Sequence, residues 1–345
     1  MSQITNRSVP SISLALRLVA GCAGALLAHA APALAQDSIL VADFNGAKIV
    51  KLAYPSGTAQ GHFVGLGMAN QGNIWDMTVG PDGNLYFASY STNEILRVNG
   101  QTGYPFGSTP AFVAAGAGGL NHPVGLTFGP DGNLYVSSFS TNSVLRYSGS
   151  SGAFIDAFVV ASSGSLTGPE GLAFNGGNLY VCSNGNAKVL RYNGTTGAFI
   201  DEAITAGQAG LTTPRGLLFD AGGRMYVTGG NSIIVKDGGT VSVLASNTTI
   251  PALFTPHQPA LTSDGSLMVP CQNGTVQKVN RLTGASQGVL VLNGAGGMTT
   301  VLTCVLPYSA PCYANCDGSN VAPALNVGDF TCFLQKYAAG CPGLP

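Results

Sequence analysis

Residues 129–152 read GPDGNLYVSSFSTNSVLRYSGSSG, and residues 80–103 read GPDGNLYFASYSTNEILRVNGQTG. The first phrase repeats the second, 49 residues further along the chain. Working outward, each N-L-Y-like strand is preceded by a turn glycine. Gly83, Gly132, Gly177, Gly223 and Gly265 mark the same place, at spacings of 49, 45, 46 and 42 residues. Ser38-Ile39-Leu40-Val41-Ala42-Asp43 opens a sixth copy, matching Asn84–Ser89. Repeats of about 40–50 residues belong to solenoids and propellers.

Inside each copy the pattern is strand, turn, strand, turn. In the third, Val124–Phe128 is a short apolar strand after a proline. Gly129-Pro130-Asp131-Gly132 is a turn, with Pro presetting φ and Gly free to take positive φ. Asn133–Ser138 and Ser143–Tyr147 make two more strands, and Ala153–Val160 the fourth. Asn99-Gly100 and Asn193-Gly194 are hairpin dipeptides at matching turns. Four antiparallel strands per repeat predict an all-β, six-bladed β-propeller over residues 36–306. The first copy begins at its second strand, so its innermost strand is missing. Met298–Leu302, left over after the sixth copy, is expected to fill it and staple the ends of the ring together. An open stack of hairpins, the alternative, leaves sheet edges free.

Composition narrows the setting. Of 345 residues, 49 are Gly and only 8% are charged, with a net charge of −1; soluble domains average about a quarter charged. No basic block offers a footprint for nucleic acid. A hydrophobic fraction of 45% argues against disorder. At the N-terminus, Arg7 and Arg17 precede the apolar run LVAGCAGALLAHAAPALAQ, and Ala33-Leu34-Ala35 fits a cleavage site before Gln36. Residues 1–35 therefore read as a signal peptide, and no later segment is long enough to span a bilayer. Export predicts a secreted, periplasmic or cell-surface protein, in which cysteines meet oxidising conditions. Cys182 and Cys271 fall in second strands two blades apart and read as buried thiols.

The pattern P-x-G-L-x-F…D-G-N-L-Y-V…V-L-R-Y, at Pro123–Tyr147 and again at Pro169–Tyr192, resembles the NHL-type and TolB-like six-bladed propellers. The resemblance spans roughly residues 37–305. It implies the fold, and a superfamily holding pure binding modules, gluconolactonase-like hydrolases and streptogramin-lyase-like proteins.

In such a ring the innermost strands line a central channel. The residue after each blade proline, or at its aligned place, begins the inner strand. Around the ring these are Trp75, Val124, Glu170, Arg215 and His257, with Met298 in the sixth place; Asp76 and His122 lie one step away. Three readings fit. Glu170 and Arg215 form an ion pair that plugs the channel. Alternatively, Trp75, Glu170, Arg215 and His257 bind a small polar ligand. Or His257 acts as a general acid or base oriented by Glu170, with Arg215 alongside, in a lactone hydrolase or carbon–oxygen lyase. Lactonase-type propellers hold a divalent cation with rim carboxylates and asparagines. Here Val124, Arg215 and Trp75 occupy three such positions, which argues against that metal site. His62, in a Gly-rich loop, reads as a surface residue.

Residues 307–345 differ in composition and carry Cys312, Cys316, Cys332 and Cys341. Phe330, Phe333, Leu334 and Tyr337 fall on one stripe of a helix that starts at Asp329 and stops at Gly340. The stretch Asn315–Ser319 with Leu325–Asp329 resembles a dockerin-type tail with cysteines. The resemblance implies calcium ligands at Asn315, Asp317, Ser319 and Asp329. Extra residues around Val321-Ala322-Pro323 and the single copy depart from that pattern, leaving a disulfide cap as the alternative reading. So short a segment buries too little to fold unaided, which makes bridges among the four cysteines the expected support; three pairings satisfy them. Cys304 is left to pair with Cys312 or stay free. The sequence thus points to an exported, noncatalytic propeller with an anchoring or sorting tail that meets a protein or cell-surface partner. It implies no cofactor other than calcium. The alternative is an enzyme at the channel mouth.

Overall fold

A computed structural model describes residues 38–64, 72–107, 110–262, 264–291 and 293–305. They form six four-stranded antiparallel sheets, and helical structure among them is confined to three-residue 3-10 turns. Blades 2 to 6 each run through consecutive strands. Their innermost strands are Ile74–Val79, Pro123–Phe128, Pro169–Asn175, Pro214–Phe219 and Ala260–Leu261. Blade 1 takes its second to fourth strands, Ser38–Asp43, Lys48–Ala53 and Ala59–Val64, from the start of the described chain, and its innermost strand, Val301–Val305, from the end. Asp43 pairs with Val301 and Leu40 with Val305, so one sheet joins both ends of the ring and no radial edge is left open.

The closing strand starts later than Met298–Leu302. Ala295–Gly297 forms a 3-10 turn, and the Met298 amide caps it by donating to the Ala295 carbonyl. Met298 is therefore not the sixth rim residue. It lies fully buried in the core beside Val50 and Val301. The strand pairing puts Leu302 in the place that Val124 and Trp75 hold elsewhere.

The turns form as the composition requires. In GPDGNLY, Asp82 accepts hydrogen bonds from Asn84 Nδ2 (2.7 Å) and the Tyr86 hydroxyl (2.9 Å). Asp131 repeats this with Asn133 and Tyr135 at 2.8 and 2.9 Å. Gly83 and Gly132 both sit at φ +74°, where an L side chain is strained. The Tyr rings then cross the gap between blades. Tyr86 meets Phe128 edge-on at 5.0 Å, and Tyr135 meets Phe174 at 4.8 Å. Each apolar cluster thus lies between two neighbouring sheets, which is how sheets packed face to face bury their inward residues. Cys182, Cys271 and Cys304 are buried free thiols. The leader through residue 35, and the tail with its helix, calcium loop and Cys312, Cys316, Cys332 and Cys341, lie outside the described residues.

Candidate functional site

Glycine brings three inner strands close together at the upper mouth, where those strands begin. A Cβ on Gly125 would stand 2.3 Å from the Glu170 carbonyl oxygen, and one on Gly171 would stand 2.6 Å from that of Arg215. A Cβ on Gly216 would meet Gln258 Cα at 2.5 Å. Blades 2, 6 and 1 carry Asp76, Gln258 and Thr303 in this register instead, and their side chains tie the strands together. Asp76 Oδ1 accepts from the Met77 amide (2.8 Å) and the Thr303 hydroxyl (2.9 Å), while Oδ2 accepts from the Leu126 amide (3.2 Å). Gln258 clasps Leu217, accepting from its amide at 3.2 Å and donating to its carbonyl at 3.0 Å. Two hydroxyls add cross-blade bonds. Ser137 donates to the Glu170 carbonyl and Thr228 to that of His257, both at 2.6 Å.

On this frame Trp75, Val124, Glu170, Arg215 and Leu302 each stand second in an inner strand, and His257 takes the equivalent place in blade 6, three residues ahead of Ala260–Leu261. The structure therefore brings five of the six expected rim residues to one mouth and replaces Met298 by Leu302. Arg215 Nη1 lies 3.6 Å from Glu170 Oε1. Glu170 Oε2, Arg215 Nε and His257 Nε2 are buried with no hydrogen-bond partner among the described residues. Trp75, Arg215, His257 and Leu302 help to wall a space of about 10 Å³ at the waist of the channel. That is room for about one water, which needs two or more polar partners to stay.

The electrostatics follow from burial. The Glu170 carboxyl is pushed up to about 7 by burial, and the Arg215 charge offsets only part of this. A single ion-pair contact at 3.6 Å does not restore the lost hydration. Burial, reinforced by Arg215, holds the His257 imidazole well below its ordinary value, so the ring is neutral at pH 7. Asp76 is also raised to about 7 by burial, against the opposing pull of its three hydrogen-bond donors. Its oxygens are already engaged, and it serves as a pin rather than a contact for a ligand.

Trp75 is itself packed by aromatic neighbours. Tyr90 stacks on it at 5.0 Å, and Phe44 and His257 approach it edge-on at 5.4 and 6.0 Å. Tyr90 in turn stacks on His122 at 4.4 Å, and His122 Nδ1 lies 2.6 Å from Ser140 Oγ. Blades 1 to 3 thus present an aromatic wall, and blades 4 and 5 an ionic one. His62 is exposed on an outer strand, away from both. Among the described residues, no three His, Cys, Asp or Glu side chains gather where they could hold a metal ion.

Sequence reasoning did not single out Gln258, Thr303 or Tyr90. A signal for the correct sixth place was present. Leu120, Leu166, Leu211 and Met298 each end a short Gly/Ala/Ser-rich turn three residues before the inner strand, and all four are buried.

No family model matches the chain, and no curated protein matches it in sequence. Solved structures do match in shape. A chain of the nidogen/laminin complex superposes with a TM-score of 0.60 at 15% identity, covering 79% of this chain and 98% of that one. A protein of unknown function from Bacteroides caccae gives 0.55 at 14% identity, covering 78% and 98%. Virginiamycin B lyase from Staphylococcus aureus gives 0.48 at 15% identity, covering 71% and 78%. The first two support a six-bladed propeller fold and nothing finer. No helix of the described residues is long and apolar enough to cross a membrane.

Proposed function

We propose that this chain is an exported, noncatalytic β-propeller that binds a small polar ligand at the upper mouth of its channel, with residues 307–345 as an anchoring or sorting tail. The observation that carries the reading is the trio of buried, uncommitted atoms at one mouth: Glu170 Oε2, Arg215 Nε and His257 Nε2. A buried polar atom without a partner costs about 1–3 kcal/mol, and a ligand that supplies the partner recovers it. The depressed basicity of His257 makes it a poor proton acceptor at neutral pH, which favours binding over general-base chemistry.

One observation favours an enzyme instead, a lactone hydrolase or carbon–oxygen lyase. Glu170 titrates near 7, the range that suits a proton-transfer group. Thermal-shift titration with short hydroxy acids, lactones and aldoses separates the two readings. Binding predicts that at least one stabilises the protein at millimolar concentration, and that Arg215→Ala abolishes the shift. Turnover of a lactone, lost in both His257→Ala and Glu170→Ala, would establish the enzyme. If no ligand shifts the protein and nothing is turned over, the upper mouth is a structural plug.

A further inference from the structure

The opposite end of the channel is built differently. Below the Asp76 and Gln258 clasp the inner strands open onto a cavity of about 400 Å³. Its width has a simple cause. Thr78, Thr127, Ala173 and Leu218 occupy one register, each paired with the first Tyr of the next strand, and three of the four are small. The upper mouth carries Trp75, Glu170, Arg215 and His257 instead. One residue further along, Phe128 and Phe174 line the same cavity, as does Phe219 in blade 5. These rings are half-buried but cannot collapse inward. A tyrosine of the preceding blade holds each of them, with ring centres 4.8–5.0 Å apart. The aromatic part of the wall is therefore rigid and shaped before any ligand arrives, with as much polar as apolar surface facing the cavity, so little ordering cost attends binding.

The lining also fixes the charge of an occupant. It contains no Lys, Arg, His or Glu, and its one carboxylate, Asp76, already accepts from three internal donors. An anion finds no counter-charge there, and a cation finds one only at a carboxylate already engaged by three donors; stripping either of water is costly. The Thr78 and Thr127 hydroxyls make no hydrogen bond to other described residues and are free to meet an oxygen of a ligand. The volume falls in the range of small-molecule pockets, about 300–1,000 Å³. The waist above, with room for about one water, makes the cavity a blind pocket instead of an open pore.

We infer that the lower mouth is a second binding site, independent of the upper one, for a small, neutral, amphipathic molecule that pairs an apolar body with a hydroxyl or carbonyl oxygen. The test is a fluorescence titration of the full chain with N-phenyl-1-naphthylamine. Saturable binding at one site is expected. Thr127→Phe and Ala173→Phe, each filling the cavity from a different blade, should weaken it at least tenfold, and His62→Ala should not. Circular dichroism identifies any variant that fails to fold. Competition on the unmodified protein at pH 7.5 needs no variant at all. There 1-octanol should displace the probe at a concentration at least tenfold lower than octanoate. No saturable binding, folded Phe variants that bind as the parent does, or equal competition by octanoate would overturn the inference.

Discussion

The Thr303 hydroxyl donates to Asp76 Oδ1 at 2.9 Å across 227 residues of sequence. It joins the closing strand of blade 1 to the inner strand of blade 2, at a point where Asp76 also receives the Leu126 amide of blade 3. One carboxylate therefore ties three blades at the waist of the channel.

Thr303→Val keeps the side-chain shape and removes this donor. It should lower stability by about 1–3 kcal/mol, the cost of leaving a buried carboxylate oxygen short of a partner. Urea unfolding followed by tryptophan fluorescence reads the change directly, because Trp75 is the sole tryptophan and sits at the same mouth. An unchanged midpoint would show that the bond contributes nothing net.

Gly171→Ala probes the close approach of blades 4 and 5. The added Cβ would stand 2.6 Å from the Arg215 carbonyl and 2.9 Å from Gly216 Cα, both backbone atoms that cannot swing aside. Overpacking of this kind costs about 1–3 kcal/mol. The same variant should weaken any ligand stabilisation at the upper mouth, since Glu170 and Arg215 must separate. Gly239→Ala, which meets nothing within 4 Å, is the control.

Stability should fall as pH rises from about 4 to about 7. Asp76 and Glu170 are both raised to about 7 in the folded chain, so over that window it holds protons that the unfolded chain has released. The state that binds more protons loses ground as pH climbs, and above about 7 the penalty is fully present. For Glu170 this is on the order of 3 kcal/mol. Glu170→Gln should remove its share of the slope in a series of thermal melts, leaving the part due to Asp76 against the opposing share of His257, whose imidazole the unfolded chain protonates more readily.

Cys182, Cys271 and Cys304 should resist alkylation in the native protein. Burial raises all three thiols, that of Cys271 to about 12, so almost no thiolate forms at pH 8. Iodoacetamide followed by peptide mapping should leave these positions unlabelled until urea is added. Rapid native labelling at any of them would mean that its blade opens.

Much of this was legible in the chain itself. The turn glycines at Gly83, Gly132, Gly177, Gly223 and Gly265 mark five of the six blades, because positive φ at a hairpin corner is a local demand, and Ser38–Asp43 marks the remaining one. The blade prolines place Val124, Glu170, Arg215 and His257 on one mouth, and alignment of the repeats adds Trp75 after Ile74, because equivalent repeats put equivalent residues at equal heights. The sixth place was misread at Met298. A 3-10 turn delays the strand by three residues, and only the pairing of Val301 with Asp43 fixes the register. The repeat pattern does not show that Tyr90, from a different turn, stacks on Trp75.

By itself the sequence determined the repeat, the number of sheets, their closure by a terminal strand and the identity of most rim residues. All of these rest on local backbone preference and on periodicity, which one chain carries in full. The tertiary structure alone decided which polar atoms are engaged and which are left over. Asp76 accepts from Thr303, Leu126 and Met77, whereas Glu170, Arg215 and His257 keep uncommitted atoms. It also decided that the channel is tight at one end and open at the other. Burial and hydrogen-bond partnership depend on distances between side chains far apart in sequence, and those distances exist only once the ring has closed.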